Sequence, residues 1–170
     1  MSRWYGSVNN RIREGKNYLQ RELKVGDDIT MYLWSDRLCF YITDVVNQKH
    51  IKVQRYQVCA DHSKESGIGH QDWLYFKTTK EYNEYINSRS ILKDKLPTDV
   101  KEPEPENWVF RYGKWKEMIT LNIKDTPKVY MNMTDKQKKD FEEGKDVHIY
   151  KDLLGSISFG VREYYYDWSF

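Results

Sequence analysis

Few features of the sequence point to a specialised structural class. Its 170 residues include only two cysteines, four prolines and nine glycines, which excludes a disulfide-rich scaffold and a collagen-like repeat. No apolar run approaches the roughly 20 residues that a membrane-spanning helix needs, so we expect no membrane partner. The first residues lack the apolar core of a signal peptide, and we therefore expect the protein to act in the cytoplasm.

Motifs typical of the large enzyme classes are also missing. The sequence contains no glycine-rich phosphate loop, no Gly-x-Ser-x-Gly elbow and no His-Glu-x-x-His zinc motif. We therefore expect a protein that is not an enzyme and needs no cofactor. Because we expect no secretion, Cys39 and Cys59 are expected to stay free thiols.

Aromatic residues, in contrast, are abundant. The 14 Tyr, 6 Trp and 6 Phe residues make up 15% of the chain, and since disordered chains are poor in aromatics we expect it to fold. The formal net charge is only +2, too small to attract a polyanion by itself. Residues 1–24 are locally basic, and residues 93–107 are locally acidic. The basic segment fits either a nucleic-acid-binding arm or the solvated face of a helix.

The hydrophobic periodicity predicts a β-rich α+β fold. A helical spacing of apolar residues predicts a first helix within residues 8–22. Alternation with a period of two then predicts strands over 29–34, 38–43 and 51–55, joined by short turns. Such strands form a twisted antiparallel meander or, with stronger curling, a small SH3-like barrel.

Later in the chain, capping boxes and a turn predict further elements. Thr78-x-x-Glu81 and Thr134-x-x-Gln137 each predict the start of a short helix, which gives two or three helices in all. The Tyr-Gly-Lys turn at 112–114 predicts a hairpin between two strands.

By composition, the chain divides into three parts. Residues 1–92 hold the first helix, the meander or small barrel, and a short helix. Residues 93–107 form an acidic, proline-containing connector. Residues 108–170 form a C-terminal β-rich part, which we expect to pack on the first part as one unit.

One polar loop carries residues of metal-ligating type. Cys59, His62 and His70 lie near Asp61 and Asp72, and Cys-x-x-His is a usable zinc spacing. A closed zinc site needs four ligands, and since this order fits no known zinc module we expect solvated loop residues and no metal. A cysteine–histidine nucleophile is favoured even less, because a polar glycine loop does not hold a base and an oxyanion donor rigidly.

Six aromatic, cationic and polar residues are expected on the meander face away from the core, or on its rim: Tyr32, Trp34, Arg37, Tyr41, Lys52 and Gln54. If exposed, they suit a nucleic acid or a nucleotide, since bases stack on rings and cations contact phosphates. Alternatively, the rings pack against the second half of the chain.

Aromatic residues also recur at the end of the chain. In an extended tail, one face carries Tyr164, Tyr166, Trp168 and Phe170. This tail is either the closing strand of the core or an exposed patch for a protein partner, for which Tyr, Trp and Arg are favoured anchors. Trp73, in the segment 60–92, is a further candidate for such an interface.

Three segments of the sequence form a recognisable combination: Ser-Val-Asn-Asn-Arg-Ile at 7–12, Val-Gly-Asp-Asp-Ile-Thr-Met at 25–31 followed by Trp-Ser-Asp-Arg at 34–37, and the tail at 160–170. This combination resembles a family of small proteins encoded by phages and prophages. That family joins a Trp-Ser/Thr-Asp-Arg element before a β-meander to an Arg-x-x-Tyr-x-Asp-Phe/Trp-Ser-Phe tail. Residues 60–107 do not match it. The resemblance implies a phage setting inside a bacterial host cell, and it implies no catalytic residues.

For a phage protein without catalytic motifs, we favour a binding function. The leading hypothesis is inhibition of a bacterial host defence system, such as a CRISPR effector or a nuclease, through binding to a host protein. The alternative is a nucleic-acid- or nucleotide-binding module of phage DNA metabolism.

Overall fold

The computed structural model describes residues 22–61, 71–89, 94–121 and 133–166. Within them lie nine strands: β1 (Asp28–Tyr32), β2 (Arg37–Asn47), β3 (His50–Arg55), β4 (Gln57–Ala60), β5 (Trp73–Phe76), β6 (Glu106–Arg111), β7 (Lys114–Leu121), β8 (Val147–Asp152) and β9 (Ser156–Phe159). The two helices of these segments are α1 (Thr79–Arg89) and α2 (Asp135–Glu142). The predicted β-rich α+β class is confirmed. The first predicted helix lies, up to residue 21, outside the described residues.

Seven strands form one antiparallel sheet in the order β8-β7-β6-β3-β2-β1-β9. The predicted meander is present as β1-β2-β3, in which Met31 pairs with Leu38 and Ile42 pairs with Val53. The chain after the connector extends both sides of it, since β6 pairs with β3 and β9 pairs with β1. In the described segments the edge strands β8 and β9 do not pair with each other, so the small closed barrel is not confirmed.

The sheet nevertheless curls strongly. Trp115 on β7 and Phe159 on β9 are five strand positions apart in the sheet order. In a flat sheet that separation corresponds to about 24 Å, at about 4.8 Å for each strand. The two ring centroids lie only 5.5 Å apart. The core side of the sheet is therefore concave, and the opposite side is convex.

Alternating residues of the central strands fill the concave side. The main buried cluster contains Leu23, Ile29, Met31, Phe40, Ile42, Ile51, Val53, Trp108 and Phe159. A second buried cluster lies between α2 and the strands β7 and β8, and it contains Leu121, Met133 and Val147. These clusters supply the apolar burial that holds the curled sheet in shape.

Part of the convex side is covered by a second layer, which consists of the β4–β5 pair and α1. Cys39, Tyr41 and Tyr56 are buried between this layer and β2. The hydroxyl of Tyr41 donates to the carbonyl oxygen of Lys77 at 3.0 Å, which ties β2 to the end of β5. The convex face of β2 is thus partly an interior surface.

The local structure agrees with the capping boxes and the predicted hairpin. The Thr78 hydroxyl accepts a hydrogen bond from the Glu81 N–H at 3.1 Å, and the Glu81 carboxylate accepts one from the Thr78 N–H at 3.3 Å. Thr134 and Gln137 make the same reciprocal pair at the start of α2. The predicted hairpin forms between β6 and β7. In the described part of the chain, no helix has the length and apolar character that a membrane crossing requires.

Candidate functional site

Trp34 is the most exposed large apolar side chain of the described residues, at 100%. Alternation predicts that residue 34 belongs to a strand, but β1 ends at Tyr32. Trp34 and its neighbour form a two-residue loop, which is closed by a 2.9 Å hydrogen bond from the Leu33 N–H to the Asp36 carbonyl oxygen. Because β1 is paired on both sides, this loop has a rigid base. A loop with a rigid base loses little backbone freedom when its side chain binds a partner.

A second exposed apolar side chain, Leu154, belongs to the turn between β8 and β9. The register of β1 with β9 ends with the pair Tyr32 and Ser156, so the loop that carries Trp34 and the turn that carries Leu154 lie at the same end of the sheet. Leu154 is 76% exposed, whereas its neighbour Leu153 packs against the core. Two exposed apolar residues therefore lie in neighbouring turns at one end of the sheet.

Gly155 allows these two turns to approach each other. A Cβ atom at this position would overlap the carbonyl oxygen of Tyr32 and would lie 2.8 Å from its carbonyl carbon. Only glycine fits such a close backbone approach. We call Trp34 and Leu154, together with Tyr32 and Arg37 at the adjoining strand ends, the turn surface.

Arg37 joins the turn surface to the C-terminal tail. Its guanidinium carbon lies 5.8 Å from the ring centroid of Tyr32 and 5.7 Å from that of Tyr165. It also forms an ion pair with Glu163. Its backbone N–H donates to the Tyr165 carbonyl oxygen at 2.9 Å. Arg37 is thus held by several contacts, and it fixes the tail against the start of β2.

The described part of the tail connects the main sheet to the second layer. The Thr30 hydroxyl donates to the Val161 carbonyl oxygen at 2.6 Å and accepts from the Glu163 N–H at 3.1 Å. The Tyr75 hydroxyl accepts from the Tyr164 N–H at 2.9 Å. These hydrogen bonds give residues 161–164 a structural role between the two layers.

Trp73 and Tyr166 share one partner, Gln71. The Gln71 side-chain oxygen accepts from the Tyr166 N–H at 3.1 Å and from the Trp73 indole N–H at 3.2 Å. The Trp73 ring packs edge-on against Tyr164, with 4.6 Å between the centroids. Tyr166 is 42% exposed. The other two aromatic residues predicted for the tail lie outside the described residues: Trp168 and Phe170.

The structure divides the predicted aromatic and cationic group of the meander. The register places Tyr32, Arg37, Tyr41 and Lys52 on the convex face. Tyr41, however, is only 9% exposed because the second layer covers it. Lys52 remains partly exposed, and its ammonium lies 3.9 Å from a carboxylate oxygen of Asp44. Tyr32 and Arg37 thus belong to the turn surface, while Lys52 lies apart from them.

The predicted zinc ligands are only partly described. Cys59 is half-buried on β4, and its thiol lies 3.6 Å from the carbonyl oxygen of Ala60. His62 and His70 lie outside the described residues. Within the segments that are described, no group of three or more His, Cys, Asp or Glu side chains is placed to hold a metal ion.

The strongly shifted pKa values belong to groups between the two layers. Burial raises the pKa of the Cys39 thiol from its ordinary value of 9.0 to about 12 and that of the Tyr75 hydroxyl to about 12. The pKa of Tyr56 is raised by burial and by the 2.6 Å hydrogen bond that its hydroxyl donates to Asp28. Arg162 lies over the Tyr75 ring, 4.6 Å from its centroid. Since a thiol reacts as the thiolate, this cluster is suited to packing and not to nucleophilic catalysis.

The raised pKa values in this cluster predict that the protein is less stable at alkaline pH. A group whose pKa is raised by folding keeps its proton in the folded state after the unfolded chain has lost it. The free energy of unfolding should therefore fall as the pH rises from about 9 towards about 12. Urea unfolding at several pH values measures this slope. In Cys39→Ala the slope should become shallower, with Cys59→Ala as the control for loss of one thiol; equal slopes in the two variants would contradict the placement of Cys39.

Sequence reasoning did not single out Leu154 and Gly155. The available signal is the run Leu153-Leu154-Gly155, which lies between β8 and β9. Successive residues of an extended chain point in opposite directions, so one leucine has to face away from the core. Which leucine does so depends on the pairing of β9 with β1.

The described residues thus combine a curled antiparallel sheet, a second layer on its convex side, and an exposed turn surface. Comparisons of the chain with protein-family models, with curated proteins and with solved structures find no match. The candidate function therefore rests on the geometry of the exposed surfaces.

Proposed function

We propose that this protein acts by binding another protein through the turn surface, without catalysis of its own. The observation that carries this proposal is the complete exposure of Trp34, together with the 76% exposure of Leu154 in the neighbouring turn. Exposed apolar patches mark interaction sites on soluble proteins. Tryptophan is also among the residues that most often dominate the binding energy of an interface.

A protein suits the turn surface better than a nucleic acid. Its cation, Arg37, is already ion-paired with Glu163 and lies over the ring of Tyr32. A phosphate would have to compete with that carboxylate. An apolar pocket that accepts the indole of Trp34 and the side chain of Leu154 needs no such exchange, and burial of both side chains supplies the driving force.

We further propose that the partner is a defence protein of a bacterial host, such as a CRISPR effector or a nuclease, which is inhibited in the host cytoplasm by occupation of its surface. The support is the resemblance to phage-encoded proteins. Within the Trp-Ser-Asp-Arg element of that resemblance, Trp34 is fully exposed and Arg37 holds the tail. The element thus combines an exposed ring with its structural anchor.

We propose that the curled sheet that carries the turn surface is a small, incompletely closed barrel. The supporting observation is the 5.5 Å contact between the rings of Trp115 and Phe159 on strands far apart in the sheet order. A barrel-like frame limits the movement of its end loops, which favours a preorganised binding surface.

The proposal predicts that Trp34→Ala/Leu154→Ala loses its partner. The test is quantitative capture from nuclease-treated bacterial lysate, followed by titration of the captured protein. We expect the dissociation constant to rise by roughly 30-fold or more, which corresponds to about 2 kcal/mol and is typical of a hot-spot side chain. If the captured protein is a nuclease, stoichiometric addition of the wild-type chain should inhibit its cleavage activity.

The matched control is Val25→Ala/Leu96→Ala, which truncates two exposed apolar side chains outside the turn surface. These residues are 64% and 41% exposed. The control should bind like the wild type. Equal capture by both double variants, or capture that disappears after nuclease treatment of the lysate, would contradict the proposal.

A further inference from the structure

The strand register determines on which face of the sheet each charged residue of β3, β6, β7 and β8 lies. Residues that pair directly across antiparallel strands lie on the same face. Trp108 in the concave core pairs with Glu117, and Glu117 pairs in turn with Lys151. Glu106 pairs with the buried Val53. The glutamates of these strands therefore lie on the concave face.

The convex face of the same strands carries an excess of positive charge. The register places four cationic residues on it: Lys52, Arg111, Lys114 and Lys116. The acidic residue of these strands on this face is Asp152, and Asp44 of the neighbouring β2 pairs with Lys52, so the formal excess is two positive charges. Lys116 is 3.0 Å from the Asp152 carboxylate, and Lys52 is 3.9 Å from that of Asp44. We call these four cations, with Tyr112 and Tyr150, the basic face.

At the hairpin end of the basic face, the guanidinium of Arg111 lies over the rings of two tyrosines. The guanidinium carbon of Arg111 lies 3.8 Å from the ring centroid of Tyr150 and 5.5 Å from that of Tyr112. A stacked guanidinium keeps its N–H edge for a phosphate, and its plane can also stack on a base. Tyr112 itself is 89% exposed.

Tyr112 holds this exposed position in a disfavoured backbone conformation. Tyr112 and Gly113 form the two-residue loop of the β6–β7 hairpin, with φ angles of 52° and 77°. Such loops favour Asn, Asp or Gly at the first position, because a larger side chain is strained at positive φ. The ring gains little packing in return, since most of it is in solvent. Backbone strain at an exposed aromatic residue points to a function of the ring.

We propose that the basic face binds single-stranded nucleic acid. Lys52 on β3 and Lys114 on β7 are two strand spacings and four residue positions apart, or about 16 Å, which is long enough for contacts with several successive phosphates. Tyr112 and the Arg111 plane supply stacking surfaces for bases, which a duplex keeps inside its own stack. The convex shape also limits the contact area that a straight duplex could reach. The site is separate from the turn surface and does not depend on it.

Fluorescence anisotropy with a labelled oligothymidylate of about 12 nucleotides tests this proposal. The wild-type chain should bind, and binding should weaken between about 50 mM and about 200 mM salt. Arg111→Gln/Lys114→Gln should lower the logarithmic salt slope by about 0.7 for each phosphate contact that is lost. The charge-matched control Lys101→Gln/Lys139→Gln removes two cations outside the basic face and should bind like the wild type.

Tyr112→Asn separates the function of the ring from the stability of the fold. Asparagine suits positive φ, so this variant should unfold at the same temperature as the wild type or higher. Loss of the stacking ring should nevertheless weaken oligothymidylate binding by roughly 5-fold to 100-fold. Trp34→Ala/Leu154→Ala should keep full oligothymidylate affinity, so failure of the turn surface and failure of the basic face are distinguishable.

Three outcomes would overturn the proposal. The first is the absence of salt-sensitive binding by the wild-type chain. The second is an equal loss of affinity in Arg111→Gln/Lys114→Gln and in its charge-matched control. The third is displacement of oligothymidylate by polyglutamate at equal charge concentration, which would assign the basic face to an acidic protein.

Discussion

Replacing Trp108 by alanine is expected to lower the free energy of unfolding by about 3–5 kcal/mol. Trp108 lies on β6 in the interior of the sheet order and is 0% exposed. Its ring centroid is 5.0 Å from that of Phe40, and its indole N–H donates to the Glu106 carboxylate at 2.9 Å. The substitution removes both contacts and leaves a cavity at the centre of the main cluster. Urea unfolding followed by far-UV circular dichroism measures the loss.

Trp34→Ala is the matched control, because it removes the same side chain from a fully exposed position. We expect this variant to keep the wild-type free energy of unfolding within about 0.5 kcal/mol. The difference between the two tryptophan variants isolates the contribution of burial. A loss below about 1 kcal/mol in Trp108→Ala would show that the ring does not lie in the core.

Gly155→Ala is expected to lower the free energy of unfolding by about 3 kcal/mol. The added Cβ atom would overlap the Tyr32 carbonyl oxygen, and a backbone atom cannot move aside as the end of a flexible side chain can. The β8–β9 turn must therefore shift away from β1. Because that shift also changes the position of Leu154 relative to Trp34, partner capture should fall although both side chains remain intact.

Gly144→Ala is the comparison for this variant. Gly144 follows α2 at a φ of 74°, and an added Cβ atom would meet nothing within 4 Å. The free energy of unfolding should fall by about 1 kcal/mol, because only the disfavoured backbone conformation of alanine at positive φ contributes. Equal destabilisation in the two glycine variants would mean that the close approach of the turn to Tyr32 contributes nothing.

The aromatic residues of the two surfaces are expected to bind different kinds of partner. The turn surface presents Trp34 beside an aliphatic side chain, whereas the basic face presents Tyr112 beside Arg111 and other cations. An apolar pocket of a protein matches the former, and a phosphate backbone with unstacked bases matches the latter. Because the two sites lie on different parts of the sheet, their variants should act independently.

Short-range patterns predicted much of the secondary structure. Both capping boxes are confirmed, because the reciprocal hydrogen bonds join residues only three positions apart. Alternation located β1, β2 and β3, but it misplaced their ends. It predicted that the first strand extends to residue 34. Instead β1 ends at Tyr32, and a 2.9 Å hydrogen bond between Leu33 and Asp36 closes a loop. It also stopped the second strand at 43, whereas β2 continues to 47 through register shifts.

The candidate surfaces were predictable only in part. Sequence reasoning named Trp34, but an alternating pattern does not distinguish its exposed ring from the buried ring of Trp108. It named Lys52, but the other cations of the basic face lie on strands beyond the connector. The requirement for glycine at 155 arises from a backbone contact with Tyr32, distant in sequence.

The sequence by itself determined the local elements of this protein: the alternating strands, the two capped helices, the hairpin turn and the abundance of rings that must be packed or exposed. These follow from interactions between residues a few positions apart. Only the tertiary structure decided the sheet order, the curl, the covered part of the convex face and the face on which each charged residue lies. The physical reason is that the burial of a residue and the sheet face on which it lies depend on the neighbouring strand. The strands β6 and β9 are separated in sequence from their partners β3 and β1 by the connector.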